Sequence, residues 1–496
     1  MTNYTKHAIK GTIIVLVVSV LAAFLGYIAR LVMARGLSVE DFGLFYAVFA
    51  FLALLGVFKS LGFEKSLIKF IPEFVHKKRD DYIKSSIIYV LITQVIINMI
   101  IIIAIYFLSD YLSVHFFHTA KAGIVLRLMA IAFFADSFVN VLKFSFQGFQ
   151  RMVLFSGIDA VRMLLILMFI IIGLKMGYGL FSPIAAYIIV PVILLAAFGW
   201  ILVNNVFPNF FHSKFVIDKF LMKKISKYSI FVLVSGSAAI ILGYTDVMVL
   251  TYFKGVNDVA LYNVALPTAK ILIYLPTAIG SILLPLTSEL WTKRKETLLK
   301  AGMESLYKYS MIITLPMVFV IISFSDLITG TLFGKSYILA GAPMQILSIG
   351  MIFMTMHLIN VNFFLGIGQP QIQSKILYIA AIFNLITGLL LIPKLGTIGA
   401  ALATSASFLI MMVMGLINIR RFITIKFPIR LWSKILSAGI VFVLAIYFLK
   451  NLIKLNVWIE AGIVLTISGV IYGILLFLLK VIDFNELNGL YNRIFR

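Results

Sequence analysis

The sequence predicts an all-α polytopic membrane protein of about fourteen transmembrane helices, built as two parallel six-helix repeats plus two C-terminal helices. Three observations carry this expectation. Of the 496 residues, 62% are hydrophobic and only 12% are charged, against about 25% charged in an average soluble chain. Apolar runs long enough to cross ~30 Å of hydrocarbon at 1.5 Å per residue recur throughout. One pattern also occurs twice, at 33–81 and at 253–297: a polar turn, a long apolar stretch and a basic end.

Taken in order, the predicted spans are 11–33, 42–70, 83–108, 122–147, 153–176, 180–206, 228–252, 260–288, 303–324, 337–366, 374–392, 396–418, 431–449 and 457–480. Backbone groups in lipid must be satisfied within their own segment, so these are helices. The runs do not alternate as barrel strands would. Lys6 and Lys10 precede the first run as in a signal peptide. That run is too long for an h-region and no small-residue cleavage pattern follows it, so it is expected to be a retained span. With the N-terminus inside, and residues at span ends counted with the adjoining loop, 26 of the 42 Lys and Arg fall on the cytoplasmic side, 8 on the other side and 8 deeper within spans. That bias predicts both termini on the cytoplasmic side of the cell membrane. It also accounts for most of the +23 formal charge, with no need for nucleic acid.

The duplication is legible residue by residue. Asp41 pairs with Asp258, Leu44 with Leu261 and Phe45 with Tyr262, each 217 apart; Glu73 pairs with Glu289 and Lys77 with Lys293, each 216 apart. Phe146-Gln147-Gly148-Phe149 precedes Phe364-Leu365-Gly366-Ile367 by 218. The offset holds six spans, an even number, so the halves enter the membrane in the same sense. The expected divisions are 1–210 and 228–420 for the six-helix bundles, a cytoplasmic amphipathic linker at 211–227, and 421–496 for two extra helices and a cytoplasmic tail. In the linker, Phe215, Val216, Phe220 and Ile225 share a face opposite Lys219, Lys223 and Lys224, which suits a helix lying on anionic headgroups. A plain basic linker is the competing reading.

The chain has no cysteine, which excludes disulfides, thiolate metal sites and thiol catalysis. No GxxxxGK[ST] loop occurs, which argues against direct ATP hydrolysis.

GLSVEDFGLF, Gly36 to Phe45, and the later stretch Asp246 to Ala265 resemble the first external loop, and the same feature in the second half, of polysaccharide exporters of the multidrug/oligosaccharidyl-lipid/polysaccharide superfamily. Gly366 to Ser407 is the most specific match, ending in the Gly-x-x-Gly-Ala-Ala-x-Ala-Thr pattern of Gly396 to Thr404. The resemblance implies a transporter, not an enzyme: a flippase for lipid-linked saccharides with a cavity lined by spans one, two, seven and eight. The multidrug branch usually has twelve spans, so fourteen favours the saccharide branch.

Charged residues within spans mark candidate sites, because each costs about 2.5–3.5 kcal/mol at mid-bilayer. Arg30, Lys59, Lys65 and Lys270 are the candidate cations of a cavity for a diphosphate headgroup. The alternative is pairing with internal carboxylates, and Glu64 is a ready partner for Lys65. Asp159 and Arg162, three apart on one helix, are expected to pair with each other. Asp246 has no base within four residues. With Asn384 and Thr404, it occupies positions that resemble a sodium site in some lipid-linked peptidoglycan-precursor flippases, though Gly388 stands where those relatives carry a second carboxylate. A proton carrier, or a salt-bridge partner of Arg30 or Lys270, is the other reading of Asp246. Coupling to Na+ or H+ is the only cofactor-like requirement implied. Pro267, Pro276 and Pro285 recur every nine residues in span eight and permit a bent, gate-like helix.

The leading expectation is an alternating-access flippase moving a diphosphate-linked oligosaccharide or polysaccharide precursor from the cytoplasmic to the outer leaflet. Its partners are that lipid-linked substrate, membrane lipids and glycan-assembly enzymes. A cation-coupled multidrug exporter would favour an acidic cavity. A membrane glycosyltransferase would need external acidic residues, and Glu40-Asp41 is the only adjacent external acidic pair.

Overall fold

The structure, a computed structural model, describes residues 3–424, 429–452 and 456–482; the expected C-terminal tail lies beyond them. It is all-α: no strand occurs among the described residues. The first half of the chain supplies α1 (Asn3–Gly36), α2 (Val39–Ser60), α3 (Phe63–His76), α4 (Asp80–His115), α5 (Ala122–Gly148), α6 (Met152–Lys175) and α7 (Phe181–Ile201). The second supplies α8 (Lys219–Lys254), α9 (Val256–Lys270), α10 (Tyr274–Thr292), α11 (Glu296–Ile328), α12 (Gly341–Gly366), α13 (Pro370–Leu395) and α14 (Thr397–Ile419), and then come α15 (Ile429–Leu452) and α16 (Val457–Leu478). Among the described residues, thirteen helical segments are long and apolar enough to cross a membrane.

Helix ends repeat as the sequence pairs do. α2 and α9 start 217 apart, at Val39 and Val256, and α4 and α11 start 216 apart, at Asp80 and Glu296. α5 and α12 end 218 apart, at Gly148 and Gly366. The left-handed residues that turn the chain also match: Lys78 with Arg294, Gln150 with Gly368, Gly179 with Gly396. Gly148 and Gly366 have the same reason to be glycine. A Cβ on Gly148 would meet the Leu67 carbonyl oxygen at 2.7 Å, and one on Gly366 would meet that of Leu284, 217 residues on, at 3.2 Å.

Two predicted spans are not continuous. Span two, expected over 42–70, stops at Ser60, because Leu61 (φ 44°) and Gly62 (φ 77°) are both left-handed. Leu61 bears a Cβ, so its conformation costs roughly 1–2 kcal/mol. The remainder, α3, is an amphipathic helix. Its Phe63, Leu67, Phe70, Ile71 and Phe74 pack into a core with Ile83, Ile87, Val141, Leu221 and Ile225. Span eight, expected over 260–288, is broken by a 3-10 turn at Ile271–Ile273. Pro276 explains the position: its ring clashes with the carbonyl four residues back, at Leu272, and it has no N–H to donate there. The amphipathic helix expected at 211–227 is also absent as a separate element. The chain is non-helical from 211 to 218, where Asp218 caps α8 by accepting from the Phe220 N–H at 2.7 Å. An Asp that can accept from a free N-terminal N–H starts a helix there, and Lys219 onward runs directly into span seven.

The chain forms two compact units. The first holds the chain up to Val264 together with Leu332–Tyr337 and Leu377–Ala400. Within it, α1 packs along α6, α4 along α5, α2 along α8, and α7 against both α5 and α6. The second holds Ala265–Thr331, Ile338–Ile376 and the chain from Ala401. There α11 packs on α12 and α15, and α15 on α16. Leu315, Phe442, Ile446, Val464 and Leu476 form much of the core joining α11, α15 and α16.

Two prolines inside these helices free carbonyls that side chains then satisfy. Pro267 cannot donate to Asn263, and Arg30 Nη1 donates to that carbonyl instead at 2.8 Å. Pro316 cannot donate to Ile312, and the Tyr472 hydroxyl donates there at 3.2 Å. An unsatisfied carbonyl in a lipid-embedded core would be costly, which is why such replacements accompany intramembrane proline.

Candidate functional site

The charged centre of the first unit is built on Asp136 of α5. Lys59 Nζ lies 3.1 Å from Asp136 Oδ2, and Arg162 Nη1 lies 2.9 Å from Oδ1. Asn140, one turn further along α5, donates its Nδ2–H to Oδ2 at 2.9 Å. Lys59 is buried and its ammonium sits 3.9 Å from the centre of the Phe133 ring. Two cations and one carboxylate leave the cluster with a surplus positive charge. The expected Asp159–Arg162 pair does not form. Asp159 accepts from Lys143 at 2.5 Å, and Arg162 reaches across to α5.

Lys59 occupies the last turn of α2, just before the break. Its carbonyl accepts from Asn98 Nδ2 at 3.4 Å. Asn98 also contacts Gln94 Oε1 (3.0 Å) and accepts from Ser137 (3.1 Å), and Gln94 donates to Glu64 at 3.0 Å. Gln94, Asn98 and Ser137 are fully buried or nearly so. The helix break therefore has a hydrogen-bonded polar backing, which holds the end of α2 where its lysine meets Asp136. Sequence reasoning paired Arg162 with Asp159 and joined neither Arg162 nor Asp136 to Lys59, and it missed the Gln94–Asn98 backing. Two amides four apart in an otherwise apolar α4 were the available signal.

The other expected cations lie elsewhere. Arg30 is half-buried, with its guanidinium 4.3 Å from the centre of the Tyr46 ring and bound to the Asn263 carbonyl. Lys270 is half-buried in the last turn of α9, also just before a break. Lys59 and Lys270 thus share a place relative to their helix breaks, although the repeat offset does not align them. Lys65 is exposed in the first turn of α3, with its ammonium near Gly236 of α8. The expected Glu64 is held by Gln94.

Asp246 is buried on α8 and its Oδ2 accepts from the Tyr262 hydroxyl at 2.8 Å. Asn384 on α13 is fully buried, and neither its Oδ1 nor its Nδ2 has a hydrogen-bond partner among the described residues. Ser237 of α8 hydrogen-bonds Tyr378 of α13 at 2.6 Å. At the other end Gly396, just past α13, lies beside Lys254, the last residue of α8. The two helices therefore run parallel. Asp246 is nine residues beyond its anchor and Asn384 six beyond its own, which places them about 4.5 Å apart along the axis at 1.5 Å per residue. Thr404 is buried on α14, in the second unit.

Comparison with known proteins gives these features a family. The sequence profile described as "Polysaccharide biosynthesis protein" matches residues 8–291, more than half of the chain. The chain belongs to the polysaccharide biosynthesis protein family. The MatE profile matches residues 232–390 as well, which places the family in the multidrug/oligosaccharidyl-lipid/polysaccharide superfamily. An uncharacterized membrane protein of Methanocaldococcus jannaschii is 33% identical over the full length of both chains. The probable low-salt glycan biosynthesis flippase Agl15 of Haloferax volcanii is 24% identical, over 94% of each chain. In fold, the chain matches the lipid II flippase MurJ at 17% identity with a TM-score of 0.75, covering 93% of this chain and 98% of that one. An inward-facing MATE multidrug transporter matches at 17% identity with a TM-score of 0.65, over 80% and 95%.

Proposed function

We propose that this family member is a flippase that carries an anionic, diphosphate-linked saccharide from the cytoplasmic to the outer leaflet by alternating access. The observation that carries the reading is Lys59: a buried ammonium at the break of a membrane helix, in a cluster whose cations outnumber its carboxylate. A negative headgroup is the chemistry that such a cluster attracts in a low dielectric. The Haloferax relative, named for glycan biosynthesis, supports the substrate class. Lys270, at the second break, is the matching cation of the other half, and Arg30 contributes charge held by Tyr46 and Asn263.

The coupling ion would sit between α8 and α13, where the Asp246 carboxylate and the Asn384 amide supply hard oxygens for a sodium ion. A proton on Asp246 is the other coupling chemistry the same residue supports. The protein works in the cell membrane with both termini in the cytoplasm, beside the enzymes that assemble its glycan. A multidrug exporter is the second reading. It wants an accessible carboxylate for cationic drugs, and Asp136 is engaged by two cations.

The test is mass spectrometry of lipid-linked and surface glycans in cells carrying Lys59→Ala or Lys270→Ala at wild-type protein levels. Accumulated cytoplasmic precursor and lost surface glycan are expected. Normal export in both variants overturns the proposal, and drug resistance without any glycan effect favours the exporter.

A further inference from the structure

Arg162 has an edge that its ion pair does not use. Nη1 is bound to Asp136, whereas Nε and Nη2 are buried and have no partner among the described residues. In a guanidinium, Nε–H and one Nη–H point the same way and form a fork that matches two oxygens of one carboxylate or phosphate. Leaving buried donors of a charged group unmade costs about 1–3 kcal/mol or more. Such an edge is explained most simply by a ligand that completes it.

The side chain also lines a cavity. About 170 Å³ of space lies between α2, α5, α6 and α7, and Asp136 and Arg162 are the only charged residues on its wall. The rest is apolar or aromatic, including Phe49, Phe133, Tyr187 and Pro191. The surplus positive charge of the Lys59–Asp136–Arg162 cluster adds an electrostatic preference, and the nearby Asp159 is taken by Lys143. The volume suits one small group, not an oligosaccharide. Aromatic walls suit the carbon skeleton attached to an anion better than a hydrated inorganic ion.

We propose that this cavity is an oxyanion pocket in which Arg162 Nε and Nη2 take one carboxylate or phosphoryl group side-on. Its aromatic rings would pack against the sugar or linker that bears the group. The source of the anion, an acidic sugar or the carrier diphosphate, rests on the flippase reading; the pocket itself does not. Arg162 would then read which saccharides are carried, while Asp136 fixes the orientation of the fork.

The experiment uses the full chain in lipid nanodiscs, titrated calorimetrically with sodium glucuronate, inorganic pyrophosphate and neutral glucose. Arg162→Lys keeps the charge and the Asp136 pair but removes the fork. Ala132→Phe fills the cavity and touches no charge. Saturable anion binding that falls at least about tenfold in both variants, with glucose binding far more weakly, is expected from loss of a charge-assisted bidentate contact. Sensitivity confined to glucuronate assigns the pocket to an acidic sugar, and sensitivity confined to pyrophosphate assigns it to the carrier. No saturable anion binding by the wild type, or unchanged binding in both variants, overturns the pocket. If Arg162→Lys fails to fold, Ala132→Phe decides alone. Binding is read without transport, so failure here leaves the glycan-export test of Lys59 standing.

Discussion

Asp136 pairs with two cations from two other helices, so its removal leaves both without a partner carboxylate at once. Asp136→Asn should leave Lys59 and Arg162 facing each other without a carboxylate, at a cost of about 3–5 kcal/mol for breaking a buried pair. A large drop in the detergent melting temperature is expected, and adding Lys59→Met should restore part of it; an Asp136→Asn protein as stable as wild type would contradict the cluster. Lys59 was legible in the sequence because a lysine stands out in an apolar stretch. Its partner was not, because 77 residues separate it from Asp136 and several acidic residues competed for the pairing. Local spacing suggested Asp159 with Arg162, but an i,i+3 pair contributes only a few tenths of a kcal/mol. The several kcal/mol at stake for a charge in lipid decided the arrangement between helices instead.

Helix interruptions are where element-scale reasoning both succeeded and stopped. Three prolines announced a bend in span eight, and the 3-10 turn falls where Pro276 forbids an α-helical bond. Nothing comparable announced the end of α2. Gly62 is one of many glycines, and Leu61 adopts its left-handed turn only because the packing of α3 beneath α4, α5 and α8 requires it. Proline also makes a testable pairing. Tyr472→Phe should orphan the Ile312 carbonyl and cost about 1–3 kcal/mol. In a Pro316→Ala background, where residue 316 donates to that carbonyl, the same change should cost little. Equal losses in both backgrounds would contradict the substitution of tyrosine for the missing N–H. The amphipathic α3 gives a pH prediction. Hydrogen bonds from Lys224 and then Lys77 hold the Glu73 carboxyl below its ordinary range. A carboxyl depressed in the folded state stabilises above its unfolded value, and that contribution disappears as pH falls through the folded value. Hydrogen exchange of α3 amides, corrected for intrinsic rate, should therefore be flat from neutral pH to about 5 and rise below about 4. Glu73→Gln should show the faster exchange already at neutral pH; a variant indistinguishable from wild type there would remove the ion pair from the account.

At the scale of the whole molecule, the duplicated chain keeps its helix ends and changes what lies between them. The ends repeat because turn chemistry and loop length set them: left-handed residues at matching positions and glycines facing matching carbonyls. The interiors diverge because each half breaks its second helix by a different device, so a lysine before the break falls at Lys59 in one and Lys270 in the other. That is why the repeat was readable from sequence and the equivalence of the two lysines was not. Even parity of the predicted crossings, together with the basic residues clustered on one side, predicts an orientation that cysteine labelling can read cleanly, since the chain has no cysteine of its own. Lys175, the last residue of α6, and Lys214, in the stretch before α8, are both exposed and are expected on opposite sides of the membrane. An impermeant maleimide should label Lys175→Cys in intact cells and Lys214→Cys only after permeabilisation. The reverse pattern would invert the protein and put its basic loops outside, and labelling of both in intact cells would mean that the number of crossings between them is even. Only the expected pattern places α3 and its Glu73–Lys224 contact on the cytoplasmic face, beside the side from which an anionic lipid-linked substrate would enter.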